Sequence, residues 1–253
     1  MSDAFSLAGR NILVTGGTRG IGRAISLQLA RGGAQVVANY ARNDASAQAL
    51  TALAASGNLA IEPLRGDLTT PKGMAAVQER MAACAAGSVS LVHCAATGVH
   101  RPFEALTTRH WDWTMALNAR VFLELVQSLL PMFGPGSAVI AVSSAGAVRA
   151  VPAYAAIGSS KGALEALARH LAVELAPRDI RVNILSAGSV LTEAWDIFPD
   201  KERRIAEAVT RTPQGRLVTA DEVAMLARFL CSPAAQGIVG QTLVIDGGAR
   251  IVD

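Results

Sequence analysis

The chain has 253 residues, of which 51% are hydrophobic and 17% charged, and its formal net charge is +3. That length and apolar content suit a single domain around one large core, and the modest charge, with no basic run interleaved with aromatics, argues against a nucleic-acid binder. No uncharged stretch reaches the roughly 20 residues of a bilayer span, and no apolar run of signal length opens the chain, so a cytoplasmic protein without membrane insertion is expected.

In chain order, residues 11–15 (NILVT) are a short apolar run ending in small residues, and GGTRGIG then leads into the helical pattern of Ile25, Leu27 and Leu29. This reads as strand, tight turn and helix. Gly16, Gly20 and Gly22 stand in the arrangement G-x-x-x-G-x-G, where missing side chains let backbone amides and a helix N-terminus approach a pyrophosphate. A plain glycine turn is the alternative. Against it stands a second strand, residues 35–40 (QVVANY), about twenty residues on, which completes the βαβ context such a turn requires. At the end of that strand an acid would accept hydrogen bonds from a free ribose 2′-hydroxyl, but the chain reads Asn39-Tyr40-Ala41-Arg42. With Arg19 inside the glycine turn, two guanidinium groups are available for a 2′-phosphate, which favours NADPH over NADH. The bland alternative is that both arginines are solvated surface charges.

The alternation continues with a helix over 45–55, a strand over 59–64, a helix over 72–85 and a strand over 89–93. Alternating strands and helices imply an α/β fold with a parallel sheet covered on both faces, whose C-terminal strand ends form the ligand crevice. Asp67 falls at one such end, either to accept an adenine amino group or as an ordinary loop acid. His93-Cys94-Ala95-Ala96 falls at the next, where small side chains let the backbone run close beneath a cofactor. A long helix over 110–130 carries Trp111, Trp113 and the apolar set Val121, Phe122, Leu125, Val126 and Leu129, which suits core or subunit interface. Asn118 is the polar exception and needs partners if buried; it either makes a structural hydrogen bond or holds a water that links Lys161 to solvent.

A strand over 138–143 (AVIAVS) ends at Ser143-Ser144, whose hydroxyls fall in the crevice. Tyr154 and Lys161 follow, seven residues apart on what reads as one helix. A seven-residue step returns to within about 20° of the same face and rises roughly 10 Å, so phenol and ammonium face one cleft. A sixth strand covers 180–185 and a last one 242–245. Between them, residues 191–213 hold Trp195, Ile197, Phe198 and Pro199 and then the charged helix KERRIAEAV, the pattern of a substrate lid. Its Lys201, Arg203 and Arg204 either meet an acidic carrier protein or a coenzyme A phosphate, or form a solvated face. Cys84, Cys94 and Cys231 are odd in number with no C-x-x-C pair, and His93, His100, His110 and His170 show no metal spacing, so reduced thiols and no metal are expected.

T-G-x-x-x-G-I-G at 15–22, Asp67, Asn118, the Ser pair, the Tyr and Lys, Val182-Asn183 and GQTLVIDGG at 240–248 together make the chain resemble the short-chain dehydrogenase/reductase family over nearly its whole length. The resemblance implies one doubly wound Rossmann domain over 1–253, with about seven parallel strands, in a homotetramer. It implies a catalytic set of Ser144, Tyr154, Lys161 and Asn118. It further implies cofactor contacts from Gly16, Thr18, Arg19, Gly20, Ile21, Gly22, Arg42, Asp67, Leu68, Ala95, Lys161, Gly188, Val190 and Thr192.

The chain departs from the family at three places. The family's ketoreductases carry the catalytic Tyr four residues before the Lys, where this chain has Ile157. Ser144 still lies thirteen residues before Ile157, as the family's Ser lies before its Tyr, so the frame is intact and the Tyr has moved. The usual Asn-Asn-Ala-Gly after the fourth strand is His93-Cys94-Ala95-Ala96, and the Pro-Gly after the sixth is Ala187-Gly188.

A Tyr-x6-Lys spacing is that of the family's enoyl-acyl carrier protein reductases, and HWDWTM at 110–115 with YAAIGSSKGALEAL at 154–167 resembles the NADPH-dependent bacterial type III of that branch. The move has a physical reason. In ketone reduction the hydride lands on the carbon bonded to the protonated oxygen, whereas in conjugate reduction it lands on C3 while charge collects on the thioester oxygen at C1. The donor must stand farther off, and moving the Tyr three residues shifts its Cα by about 4.5 Å toward the helix N-terminus. The expected activity is therefore NADPH-dependent reduction of trans-2-enoyl thioesters carried by acyl carrier protein or coenzyme A. A ketoreductase or alcohol dehydrogenase with a displaced acid, and an inactive NADP-binding regulator, are the alternatives.

Overall fold

A computed structural model describes residues 4–84 and 89–252. Strand β1 (Asn11–Thr15) turns into helix α1 (Gly20–Arg31), followed by β2 (Gln35–Tyr40), α2 (Asp44–Ser56), β3 (Ile61–Arg65), α3 (Pro71–Ala82) and β4 (Val89–His93). The second half runs α4 (Thr108–Met115), a π-helical turn (Ala116–Arg120), α5 (Val121–Leu129), β5 (Ala138–Ser144), α6 (Ala155–Leu175), β6 (Arg181–Ala187), α7 (Lys201–Thr210), α8 (Ala220–Cys231) and β7 (Thr242–Ile245).

Local chemistry explains several boundaries. Thr70 caps α3 through Gly73 N–H, with Pro71 at its first position, where the missing N–H is no loss. Thr219 and Glu222 form a capping box on α8, which Arg216 reinforces by a fork on the Glu222 carboxylate. The helix expected to reach residue 85 ends at Ala82; Ala85 lies outside the described residues. The long helix expected over 110–130 is real but interrupted by the π turn, which holds Asn118.

All seven strands are parallel in the order β3-β2-β1-β4-β5-β6-β7. Strand β1 is bonded to β2 on one side and β4 on the other, with Thr15 opposite His93, so the order reverses there and a crevice opens at the strand ends. The pleat deals side chains alternately to two cores. Ile12 and Val14 face α1 and α8 with Ile25, Leu29, Val223 and Leu230. Leu13 faces the other layer with Phe122, Leu125, Leu164 and Ala168. Burial on both faces is why inner strands such as β1 and β5 are largely continuous apolar runs. Among the described residues no helix is long and apolar enough to cross a membrane.

Candidate active site

The turn after β1 is built for close approach. Gly16 has φ +64°, and a Cβ on it would lie 3.0 Å from Ala95 Cα, so the turn runs against the backbone that leaves β4. A Cβ on Gly22 would stand 2.1 Å from the Gly16 carbonyl oxygen, so α1 enters the turn only without a side chain there. Gly20 has φ +51°, and a Cβ on it would lie 3.6 Å from the Thr192 side chain. Thr18 is buried, Ile21 packs on the core, and Arg19 is exposed at the N-cap. The N-terminus of α1 has no side-chain cap and no acid in its first turn, which leaves its amides and dipole to an anion.

Asn39 does not replace the missing acid as a ligand. It is buried and donates to the Gly66 and Leu64 carbonyls at 2.9 and 3.4 Å, tying β2 to β3. Arg42 is exposed, and its charge helps hold the Asp67 carboxyl below its ordinary pKa; the larger cause is Thr69, which donates its hydroxyl and N–H to Asp67 Oδ1 at 2.7 and 3.0 Å. Leu68 beside it is buried in the core.

At the other end of the crevice the two serines of β5 have different fates. Ser143 is buried and donates to Glu165 Oε1 at 2.6 Å. Ser144 points the other way, its Oγ 3.4 Å from the Tyr154 hydroxyl. Burial raises the Tyr154 pKa, and the Ser144 contact partly offsets this. Lys161 is buried with its Nζ donating to the Val142 carbonyl at 2.7 Å. Burial pushes its pKa down to about 8, against the pull of Cys94 and Glu165.

One expectation needs correction. Tyr154 does not sit on the helix with Lys161: it is the N-cap, at φ −120° and ψ 11°, and α6 begins at Ala155. Its place is set by the turn before the helix. Asn118 is fully buried and its amide is taken up by protein: Oδ1 accepts Thr97 N–H at 2.8 Å, and Nδ2 donates to the Thr97 carbonyl and Ser160 Oγ at 2.9 and 2.8 Å. With both amide hydrogens used, the side chain anchors the loop after β4.

The loop after β6 runs between Asp246 and the glycine turn. A Cβ on Gly188 would meet Asp246 Cβ at 2.7 Å, Val190 is buried and its carbonyl accepts Trp195 Nε1 at 2.8 Å, and Thr192 caps the turn that follows. The charged helix α7 is neutralised by acids on the helix and just before it. Lys201 pairs with Asp196, Arg203 with Asp200 and Glu207, and Arg204 with Asp200, so these three cations form a solvated, self-paired face.

Sequence reasoning passed over His100, whose ring lies 5.2 Å from Tyr154 and 4.8 Å from Phe198. Arg204 in turn covers the Phe198 ring at 4.6 Å. The position of His100 in a loop leaving a strand's C-terminal end was the signal available for it. Glu165 was also missed, although it follows Lys161 by one helical turn and so shares its buried face.

The reversed sheet order, the glycine turn and a Ser, Tyr and Lys around one crevice define a dinucleotide-binding oxidoreductase. The chain belongs to the short-chain dehydrogenase/reductase family: the family model described as enoyl-(acyl carrier protein) reductase matches residues 16–250. Among its relatives, 1-cyclohexenylcarbonyl-CoA reductase of Streptomyces collinus is 35% identical over 95% of this chain and 86% of its own length. A tropinone reductase homologue of Arabidopsis thaliana is 34% identical over 98% of this chain and 92% of its own. A short chain dehydrogenase from Burkholderia cenocepacia, solved in complex with NADP, superposes with a TM-score of 0.87 at 31% identity, covering 96% of this chain and 99% of that one.

Proposed function

We propose that the protein reduces the C2–C3 double bond of trans-2-enoyl thioesters with NADPH. The observation that carries this reading is the displaced phenol: Tyr154 reaches Ser144, while Ile157, four residues before Lys161, is buried and unreactive. A cyclohexenylcarbonyl-CoA reductase among the relatives supports it, since that name describes a conjugated enoyl thioester. NADP-bound neighbours, together with Arg19, Arg42 and the lack of an acid after β2, support NADPH as the cofactor. The glycine turn fits a pyrophosphate, because its three glycines leave no side chain between the α1 amides and the crevice.

When bound, NADPH supplies the hydride that adds to C3. Tyr154 hydrogen-bonds the thioester oxygen, where negative charge collects as C3 is reduced, and C2 then takes a proton to complete the saturated product. Lys161 holds the nicotinamide ribose, and its ammonium favours the nearby oxyanion. Ser144 orients the Tyr154 hydroxyl and meets the acyl carbonyl, while Gly188, Val190 and Thr192 line the carboxamide. Asp67 and Leu68 lie toward the adenine, and Ala95 runs beneath the cofactor. Asn118 acts by holding Thr97. Coenzyme A is the carrier we favour, because a relative is named for a CoA thioester, while the paired cations of α7 offer little to a coenzyme A phosphate or an acidic carrier protein alike; a homotetramer is proposed from family membership.

The test follows NADPH absorbance with trans-2-enoyl and 3-ketoacyl thioesters of equal chain length. Consumption with the enoyl substrate is expected. Activity on the ketoacyl substrate alone overturns the reading in favour of a ketoreductase, the chemistry to which the tropinone reductase homologues point.

A further inference from the structure

One loop makes successive contacts with the start of α6. Thr97 is fixed by both ends of the Asn118 amide. Gly98 lies so near Ile157 that a Cβ on it would stand 2.2 Å from Ile157 Cγ1. His100 sets its ring 5.2 Å from that of Tyr154, and Arg101 donates its backbone N–H to the Ala153 carbonyl at 3.0 Å.

Ala153 is one of three non-glycine residues with positive φ among the described residues, at +57°. The other two, Asn58 and Asp179, have the short polar side chains that tolerate this region. Alanine has none, so its surroundings must hold it there. The left-handed turn delivers Tyr154 to the N-cap with its ring over Gly146, where a Cβ would come within 2.4 Å of Tyr154 Cε1. From the other side the His100 ring is backed edge-on by Phe198 of the lid.

We propose that residues 97–101 are a strap that seats the displaced tyrosine, with Ala153 as its strained hinge and His100 as the ring that holds Tyr154 over Gly146. Both are positioning residues, and the inference rests on Tyr154 being the group that meets the thioester oxygen. The strap follows directly on His93-Cys94-Ala95-Ala96, where the chain departs from its family's Asn-Asn-Ala-Gly. The altered loop and the moved tyrosine are thereby one adaptation.

The experiment measures crotonyl-CoA reduction, NADPH binding and thermal unfolding of the full chain for Ala153→Gly, His100→Ala, His100→Phe and Tyr154→Phe. Ala153→Gly unfolds at the wild-type temperature or up to about 3 °C above it, because relief of strain offsets the freer unfolded chain. Its kcat falls about tenfold, equivalent to about 1.4 kcal/mol, with NADPH affinity unchanged. His100→Ala loses kcat to the same extent, and His100→Phe, which keeps a ring, recovers most of it. An Ala153→Gly protein with wild-type kcat, or one destabilised as an unstrained site would be, overturns the strap, as does a His100→Phe protein no better than His100→Ala. Strap variants that lose nothing beside an inactive Tyr154→Phe refute the strap and leave the role of Tyr154 standing. A fully active Tyr154→Phe removes that role, and the strap with it.

Discussion

Ile157 occupies the space in front of Gly98: a Cβ added to that glycine would stand 2.2 Å from Ile157 Cγ1 and 2.8 Å from Cδ1. The position four residues before Lys161 is thus filled by packing and holds no latent acid. Restoring a tyrosine there by Ile157→Tyr overfills the site, at a cost of about 1–3 kcal/mol. The expected result is a lowered unfolding temperature and no gain of 3-ketoacyl thioester reduction. A stable Ile157→Tyr protein that reduces ketones would show that packing against Gly98 does not keep an acid out of this position.

Lys161 sets a pH dependence of opposite sign for stability and for binding. Burial pushes its pKa from 10.5 to about 8, so between those values the unfolded chain binds more protons than the folded one. Stability of the cofactor-free protein attributable to Lys161 therefore rises with pH across that window. Cofactor affinity goes the other way on the role proposed for Lys161, in which the ammonium meets the ribose. NADPH binding measured by fluorescence titration is expected to weaken as pH rises through about 8, and Lys161→Met to flatten the profile. A profile with the same slope in the variant would assign the titration to another group.

His93 is a neutral core histidine of defined tautomer. Thr15 Oγ1 accepts the N–H groups of Cys94 and Ala95 at 3.1 and 3.0 Å, so its own hydrogen goes to His93 Nδ1 at 3.0 Å. The ring proton is left on Nε2, which makes no hydrogen bond of full geometry although the backbone of Leu117 and Asn118 faces it. Burial holds the pKa down to about 3 from 6.5, so the unfolded chain binds the extra proton between those values and stability is lost as pH falls through them. Nitrogen-15 spectra of the ring are expected to show an Nε2-protonated form unchanged between about pH 5 and 8. His93→Asn is expected to blunt the acid loss of stability. A ring that titrates in that range would contradict the assignment.

Much of this molecule was legible in the sequence, because its signals are local. The inner strands such as β1 and β5 are largely apolar runs buried on both faces, and the glycine turn declares itself by spacing. Residues 11–15, 35–40, 89–93 and 242–245 fold as strands with the expected boundaries. What could not be read depends on contacts between distant segments or on the backbone itself. Nothing in the sequence shows that Ala153 adopts a left-handed conformation, which puts Tyr154 before α6 and not on it. The π turn around Asn118, the capture of its amide by Thr97 and the His100 ring against Tyr154 likewise exist only once the loop after β4 is folded. The cations of α7 left two readings open, a ligand for an anionic carrier or a solvated face, because Asp196, Asp200 and Glu207 were visible as charges but not as pairs.

Tyr154 is proposed as the group that meets the thioester oxygen, and replacing its hydroxyl tests this most directly. Tyr154→Phe removes the contact with Ser144 and keeps the ring that packs on Gly146 and His100. With a trans-2-enoyl thioester as substrate and NADPH oxidation as the readout, kcat is expected to fall by about 10² or more while NADPH affinity holds. An unchanged kcat in Tyr154→Phe would contradict the account.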